Sequence, residues 1–237
     1  MYGSRRGGGQ AMKLPTHIPL SYSAISDYEN CPFKFLNTQK QLLNKYPFKP
    51  TPATEKGNRM HKAFEDYVKY GKSLPGEFAH HQYFMDQLRN AKGTKQCETK
   101  MALDWKQNQV DYFKGKDIWL RGQYDLMIIN GETGVMIDYK TGSPKYPKID
   151  QLQCMSMMAF HYMPNLKQIK ASLIFVEHGY QACQETYTRD KMDAYVTEWK
   201  NRAIPIMQAL QTNVWEPREN PLCAYCPVVT CPHNKAT

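Results

Sequence analysis

Two aspartates and a lysine, Asp125, Asp138 and Lys140, are the residues of this chain best placed to do chemistry. They lie within residues 122–142, GQYDLMIINGETGVMIDYKTG, where two short apolar runs flank Asn130, Gly131, Glu132 and Thr133. Apolar and polar residues alternating on either side of Asn-Gly predict a β-hairpin. A turn symmetric about Gly131 and Glu132 sets position 125 opposite position 138, which makes the aspartates cross-strand neighbours on one face. Such pairs hold their Cβ atoms roughly 5 Å apart. Carboxylates that close repel unless a cation sits between them, and a divalent metal is the usual solution. Lys140 is two residues beyond Asp138 and shares its face by the period of a strand. Asp, Asp and Lys meeting at one point predict metal-assisted hydrolysis.

Several elements must position these groups. Residues 54–70, TEKGNRMHKAFEDYVKY, predict a helix with Met60, Ala63, Phe64, Tyr67 and Val68 as its apolar stripe. His61 falls on the border of that stripe, one turn from Glu65. It reads either as a boundary histidine of no special role or as a metal ligand at the edge of a cleft. Residues 21–39 predict a short amphipathic helix that breaks or restarts at Pro32, and residues 78–93 another helix. The pattern turns strand-like over 95–107 and again over 117–120, leading into the hairpin. A methionine-rich helix near 150–163 follows, then two strands within 170–189 and a helix over 189–211, kinked or restarted at Pro205. Helices before a sheet, then strand–strand–helix–strand–strand, argue for an α/β or α+β core with helical additions.

The 237 residues allow one large domain, or a core with an appended lobe. The net charge of +9 suits a polyanion partner such as nucleic acid, although solubility alone would also account for it. No apolar run has membrane-spanning length and no apolar signal segment opens the chain, so a soluble cytoplasmic protein without a membrane partner is expected. Residues 1–20 begin glycine-rich and basic, and read as a disordered arm or as expression-tag residues ahead of a start at Met12. Residues 21–237 then form a single domain.

Seven cysteines, odd in number and unevenly spaced, fit no simple disulfide framework. Cys97, Cys154 and Cys183 read as small packing residues. Cys223, Cys226 and Cys231 form C-x2-C-x4-C, a strong metal signal. The fourth ligand is open between Cys31, His233 and the three remaining cysteines, and zinc and an iron–sulfur cluster both suit thiolates.

These pieces together resemble the PD-(D/E)XK nuclease superfamily, most closely its RecB/AddB-like iron–sulfur branch of CRISPR-associated and phage-type exonucleases. SYSAISDYENCPFKF resembles the branch's opening S-x-S-x-h-x-x-[FY]-x-x-C-P motif, with Cys31 as first cluster ligand. GNRMHKAFE resembles its G-x-x-x-H-x-x-x-E helix, GQYDLMII supplies Asp125, and IDYKTG is the D-x-K strand with Asp138 and Lys140. DQLQCMSMMAF resembles the Q-x-x-x-Y helix with Gln151 in the glutamine position, and CAYCPVVTC resembles the terminal cysteine triplet. Two positions depart from the pattern. Met155 stands where the glutamine helix has tyrosine, and the last cysteine gap is x4 where x5 is common.

The resemblance implies an α/β fold with a restriction-endonuclease-like mixed sheet flanked by helices, its two ends joined at a cysteine metal cluster. It implies Mg²⁺ or Mn²⁺ held by His61, Asp125, Asp138 and the backbone carbonyl of Tyr139. Lys140 would orient the attacking water and Gln151 would position that water or the phosphate. A structural 4Fe–4S cluster would be held by Cys31, Cys223, Cys226 and Cys231, with zinc as the alternative. The implied reaction is exonucleolytic cleavage of DNA, single-stranded or at ends, in recombination, repair or defence. No helicase motif is present, so any motor would be a partner chain; oligomeric state stays open. The rival reading is a non-catalytic nucleic-acid-binding protein stabilised by zinc or a cluster, which has no need for facing carboxylates that repel phosphate.

Overall fold

The computed structural model describes residues 14–235. The helices are α1 (Tyr22–Asn30), α2 (Pro32–Thr38), α3 (Pro52–Tyr70), α4 (Gln82–Asn90), α5 (Asp150–Tyr162) and α6 (Met192–Thr212). The strands are β1 (Thr94–Asp104), β2 (Ile118–Asn130), β3 (Thr133–Lys140), β4 (Gln168–Phe175) and β5 (Gln181–Thr188). They form one five-stranded mixed sheet in the order β1-β2-β3-β4-β5. Only β3 and β4 run parallel, joined by the α5 crossover; the other neighbours are antiparallel. Helices flank the sheet, an α/β architecture consistent with the restriction-endonuclease-like fold that the resemblance implies.

The hairpin forms as its alternation dictates. Asn130 pairs with Thr133 across Gly131, whose φ of 60° lies in the left-handed region that glycine enters freely. Pairing continues to Leu126↔Ile137. The two faces of the sheet bury different layers. On one, Met127 and Met136 pack with α5 and α6 through Leu152, Met158 and Trp199; on the other, Leu126 and Ile137 pack with α3 through Met60 and Phe64. Thr51 caps α3, exchanging hydrogen bonds with Thr54, and Pro52 opens its first turn. The buried stripe of α3 leaves half-buried His61 at its border, facing β2 and β3.

Three expectations change in detail. The helix expected over 78–93 begins as a 3-10 turn, Gly76–His81, before α4. α6 runs unbroken through Pro205, because Trp199, Ala203, Ile206 and Leu210 carry its buried face past the proline. Within the expected arm, residues 1–13 lie outside the described residues, but the segment after them packs. Ile18 and Leu20 are buried, and Leu20 trades backbone hydrogen bonds with Trp119 and Arg121. Its backbone gives the start of β2 a partner there. Among the described residues, no helix is long and apolar enough to cross a membrane.

The end of α5 is closed by a side chain distant in sequence. The Arg189 guanidinium donates to Phe160 O at 2.9 Å, Met163 O at 2.6 Å and Leu166 O at 2.6 Å. A cation there satisfies carbonyls that the helix cannot and complements its dipole. Arg189→Ala should cost about 1.5–3 kcal/mol, the range for hydrogen bonds from a charged group. Urea denaturation measures it, and a loss under about 0.5 kcal/mol would mean that water replaces the clamp without penalty.

Candidate active site

Beyond Leu126↔Ile137, β2 and β3 part, and Asp125 turns its carboxylate into the gap. Its Oδ2 accepts the Tyr139 N–H at 2.6 Å, and its Oδ1 lies 3.2 Å from His61 Nδ1 on α3. Asp138 faces the other helical layer. Its Oδ1 accepts from Gln151 Nε2 on α5 at 2.9 Å, and Lys140 Nζ lies 2.5 Å from its Oδ2. Lys140 Nζ also donates to Gln151 Oε1 at 3.1 Å, which closes a ring of Asp138, Lys140 and Gln151. The aspartates are therefore opposite in register, yet not the simple same-face pair that an unbroken ladder would make. Asp125 lies between the strands and Asp138 against α5, so the site has two halves that meet where the ladder ends. In a strand, a residue's N–H and C=O point to the same side, so the Tyr139 carbonyl also faces this mouth.

One functional residue escaped the sequence reading. The pairs Cys97↔Leu126 and Thr99↔Tyr124 place Glu98 across from Asp125. Glu98 has a φ of 51°, a left-handed backbone that costs a residue with a Cβ. With that twist, its carboxylate comes within 4.8 Å of the ligand atoms of His61 and Asp125. Gln123 Nε2 donates to Glu98 Oε2 and holds it there. Nothing local marks Glu98. Its place follows only from the β1–β2 register, set across the loop over 105–117.

The charge balance of the mouth is unfavourable as it stands. Burial, reinforced by the charge of Asp125, pushes the Glu98 carboxyl up to about 7, with His61 opposing. Burial, then the Asp125 charge, also holds the Asp138 carboxyl above the usual range, and Lys140 offsets part of this. Burial works to lower the pKa of His61, but its hydrogen bond to Asp125 and the surrounding carboxylates outweigh that, and the net direction is up. Asp138 Oδ2 is buried against the Lys140 ammonium, 2.5 Å away. The Glu98 and Asp125 carboxylates and the His61 imidazole, their ligand atoms within 4.8 Å of one another with Asp138 in the adjoining half, fit a hard divalent cation of the Mg²⁺ or Mn²⁺ kind.

Two clefts meet at this mouth. The acidic one is lined by His61, Glu98, Gln123 and Asp125; the basic one by Ser21, Ser23, Arg121, Lys140, Lys148 and Gln151. Gln123 lines both. Met155, in the place of the glutamine helix's tyrosine, also lines the basic cleft and presses on β2 at Gly122, where a Cβ would lie 2.6 Å from its Cε.

At the far end of α1, Cys31, Cys223, Cys226 and Cys231 all line one pocket. Cys31 caps α2, its Sγ accepting from Lys34 N at 3.5 Å and from Arg218 N at 3.4 Å; Asn220 N donates to Cys223 Sγ at 3.4 Å. His233 pairs with Glu219 at 3.7 Å. Cys97 and Cys154 are buried in the two hydrophobic layers and Cys183 packs against one of them.

Residues 19–231 match the PD-(D/E)XK nuclease superfamily. The chain belongs to that superfamily. Membership supports a nuclease, a hydrolase acting on phosphodiester bonds. A comparison with curated proteins finds no match. Among solved structures the superfamily chain is similar to SSO0001, at 16% identity with a TM-score of 0.42, covering 93% of this chain and 90% of that one. It is also similar to a protein of Eubacterium rectale named as a candidate exonuclease, at 13% identity and a TM-score of 0.49, covering 88% and 86%. At these scores neither likeness bears on mechanism.

The raised Glu98 carboxyl has a testable sign. In the metal-free folded protein it stays protonated up to about pH 7, whereas the ordinary value is 4.5. The folded state binds the extra proton between those values, so stability falls as pH rises through that window. Glu98→Gln removes the loss. In EDTA, the variant's Tm should gain on wild type from pH 4.5 to about 7 and hold level above it. A gap that does not widen across the window would show that Glu98 titrates normally.

Proposed function

We propose that this chain is a divalent-metal-dependent DNA nuclease of the exonuclease kind, acting on single strands or DNA ends. The observation that carries the reading is the meeting of His61, Glu98 and Asp125 with the Asp138–Lys140–Gln151 ring at the parted end of β2 and β3. His61, Asp125, Asp138 and the Tyr139 carbonyl would hold Mg²⁺ or Mn²⁺, and Glu98 adds a further carboxylate to the set. Bound there, the ion supplies a lowered water pKa and positive charge for the scissile phosphate.

The chain's own groups do the rest. Lys140, held between Asp138 and Gln151, presents an ammonium that hydrogen-bonds the attacking water and offsets charge growing on the phosphate. Gln151 is a positioning residue that fixes the lysine relative to Asp138. Arg121 and Lys148, with Ser21 and Ser23, line a path along which a phosphate backbone can reach Lys140. End-directed action in recombination, repair or defence is the reading favoured by the likeness to the RecB/AddB-like branch. A helicase partner would supply any strand separation.

We also read the cysteine pocket as the seat of a structural 4Fe–4S cluster that staples the two ends of the chain. Four thiols around one pocket and N–H donors to two of them support a sulfur-ligated group.

End-labelled linear, circular and single-stranded DNA, incubated with Mg²⁺, Mn²⁺ or EDTA, test the first reading. Asp138→Ala and Lys140→Ala should each slow metal-dependent cleavage at least a hundredfold, to about the level seen on losing a transition-state donor, while retaining DNA binding. Wild-type rates in either variant would remove those residues from the chemistry. Binding without cleavage in any metal would favour the non-catalytic nucleic-acid-binding protein. For the staple, anaerobically purified protein should be brown, and Cys226→Ser should lose both the colour and thermal stability. Colourless protein carrying stoichiometric zinc would replace the cluster by a zinc ion.

A further inference from the structure

A second group of metal-ligating side chains lies outside the nuclease mouth. His80, His81 and Glu177 bring their ligand atoms within 4.8 Å of one another. The histidines end the 3-10 turn Gly76–His81, and Glu177 lies in the turn between β4 and β5. That turn is anchored to the catalytic end of the sheet, since Val176 N donates to Lys140 O at 3.0 Å.

The second observation is how His81 is held. Its side chain is 1% exposed and meets the Phe64 ring edge-on. Nδ1 lies 2.8 Å from the Tyr180 hydroxyl, whereas Nε2 is buried with no hydrogen-bond partner. A bare buried ring nitrogen is costly and uncommon in a finished structure. One nitrogen oriented by a hydrogen bond and the other left for a cation is the arrangement of a metal-ligating histidine. Tyr180 is fixed in turn, with a left-handed φ of 60° and a stack on Phe84 at 4.5 Å. Two imidazoles and one carboxylate are a donor set for zinc-class ions and a poor one for Mg²⁺. One group opposes binding: Lys56 Nζ lies 2.8 Å from Glu177 Oε1.

We propose that His80, His81 and Glu177 bind one transition-metal ion of the zinc class, with water completing its coordination. The ion pins the Gly76–His81 turn to the β4–β5 turn. Phe64 then carries that restraint toward the mouth, because its ring packs against both His81, at 5.4 Å, and Tyr139, at 5.1 Å. The role is structural and separate from the hard-cation site.

Co²⁺ serves as the spectroscopic probe, titrated into the full chain as purified. Wild type should take up one more equivalent than His80→Ala, without the thiolate charge-transfer absorption that a cysteine site would add. His80 is exposed, so its loss should leave the fold intact. Zn²⁺ at a hundredfold excess over Kd should raise the wild-type Tm by about 5–10 °C more than that of His80→Ala. Tyr180→Phe should weaken the extra site roughly 10–100-fold through loss of the orienting hydroxyl, and Lys56→Gln should tighten it. Equal uptake by wild type and His80→Ala, or an affinity indifferent to Tyr180→Phe, would overturn the proposal.

Discussion

The hydrogen bond from the Tyr139 backbone N–H to the Asp125 carboxylate marks where β2 and β3 stop pairing and begin to enclose a site. A ladder that ran on would use its own carbonyls for that N–H. Here a side chain takes it, the strands separate, and the groups at their ends are left facing a shared space. Because the sheet lies between two helical layers, the opening draws from both. α3 delivers His61 to Asp125 from one side, and α5 delivers Gln151 to Asp138 and Lys140 from the other. The parting of the strands therefore decides which residues of distant elements can act together.

Electrostatics gives that opening its chemical character. Glu98 and Asp138 lie where burial and the neighbouring Asp125 charge make an ionised carboxylate expensive, and His61, Lys140 and the Gln123 amide offset part of that cost. Such an arrangement resists ionisation until positive charge arrives. The neighbouring cleft has the opposite bias, with Arg121, Lys140 and Lys148 exposed to a passing polyanion. An acidic pocket suited to a cation is joined at Gln123 to a basic path suited to phosphates, so two opposite charge biases lie a few side chains apart. Lys140 lines the basic cleft and pairs with Asp138.

The ends of the chain show a different economy. The C-terminal segment is mostly irregular, and its hold on the body runs through Cys31, Arg218 and Asn220, with the Arg218 guanidinium donating to Glu29 O and the Asn220 amide to Asn30 O. Apolar contacts hold it as well, since Trp215 stacks on Phe35 and meets Tyr28 edge-on, and Val228 is buried. Thiols lining a common pocket offer a further kind of attachment, one that depends on what they ligate.

Much of the local plan could be read from the chain as a string. The two-residue period around Asn130-Gly131 set the hairpin register, and hence Asp125 opposite Asp138 and Lys140 on the side of Asp138. Both follow from strand geometry within a few residues. The apolar stripe of α3 left His61 at its edge for the same reason, and the superfamily match extends over the same motifs. What waited for the tertiary structure depends on approaches between residues far apart in sequence. Glu98 reaches Asp125 only through the β1–β2 register and a left-handed backbone, neither of which its neighbours announce. The turn of the two aspartates toward different helical layers required the strands to part, which alternation alone does not foretell. His80, His81 and Glu177 belong to segments almost a hundred residues apart that meet only because α3, the 3-10 turn and the β4–β5 turn crowd one end of the sheet. Local periodicity governs which way a side chain leaves its own element, but only packing decides what it meets there.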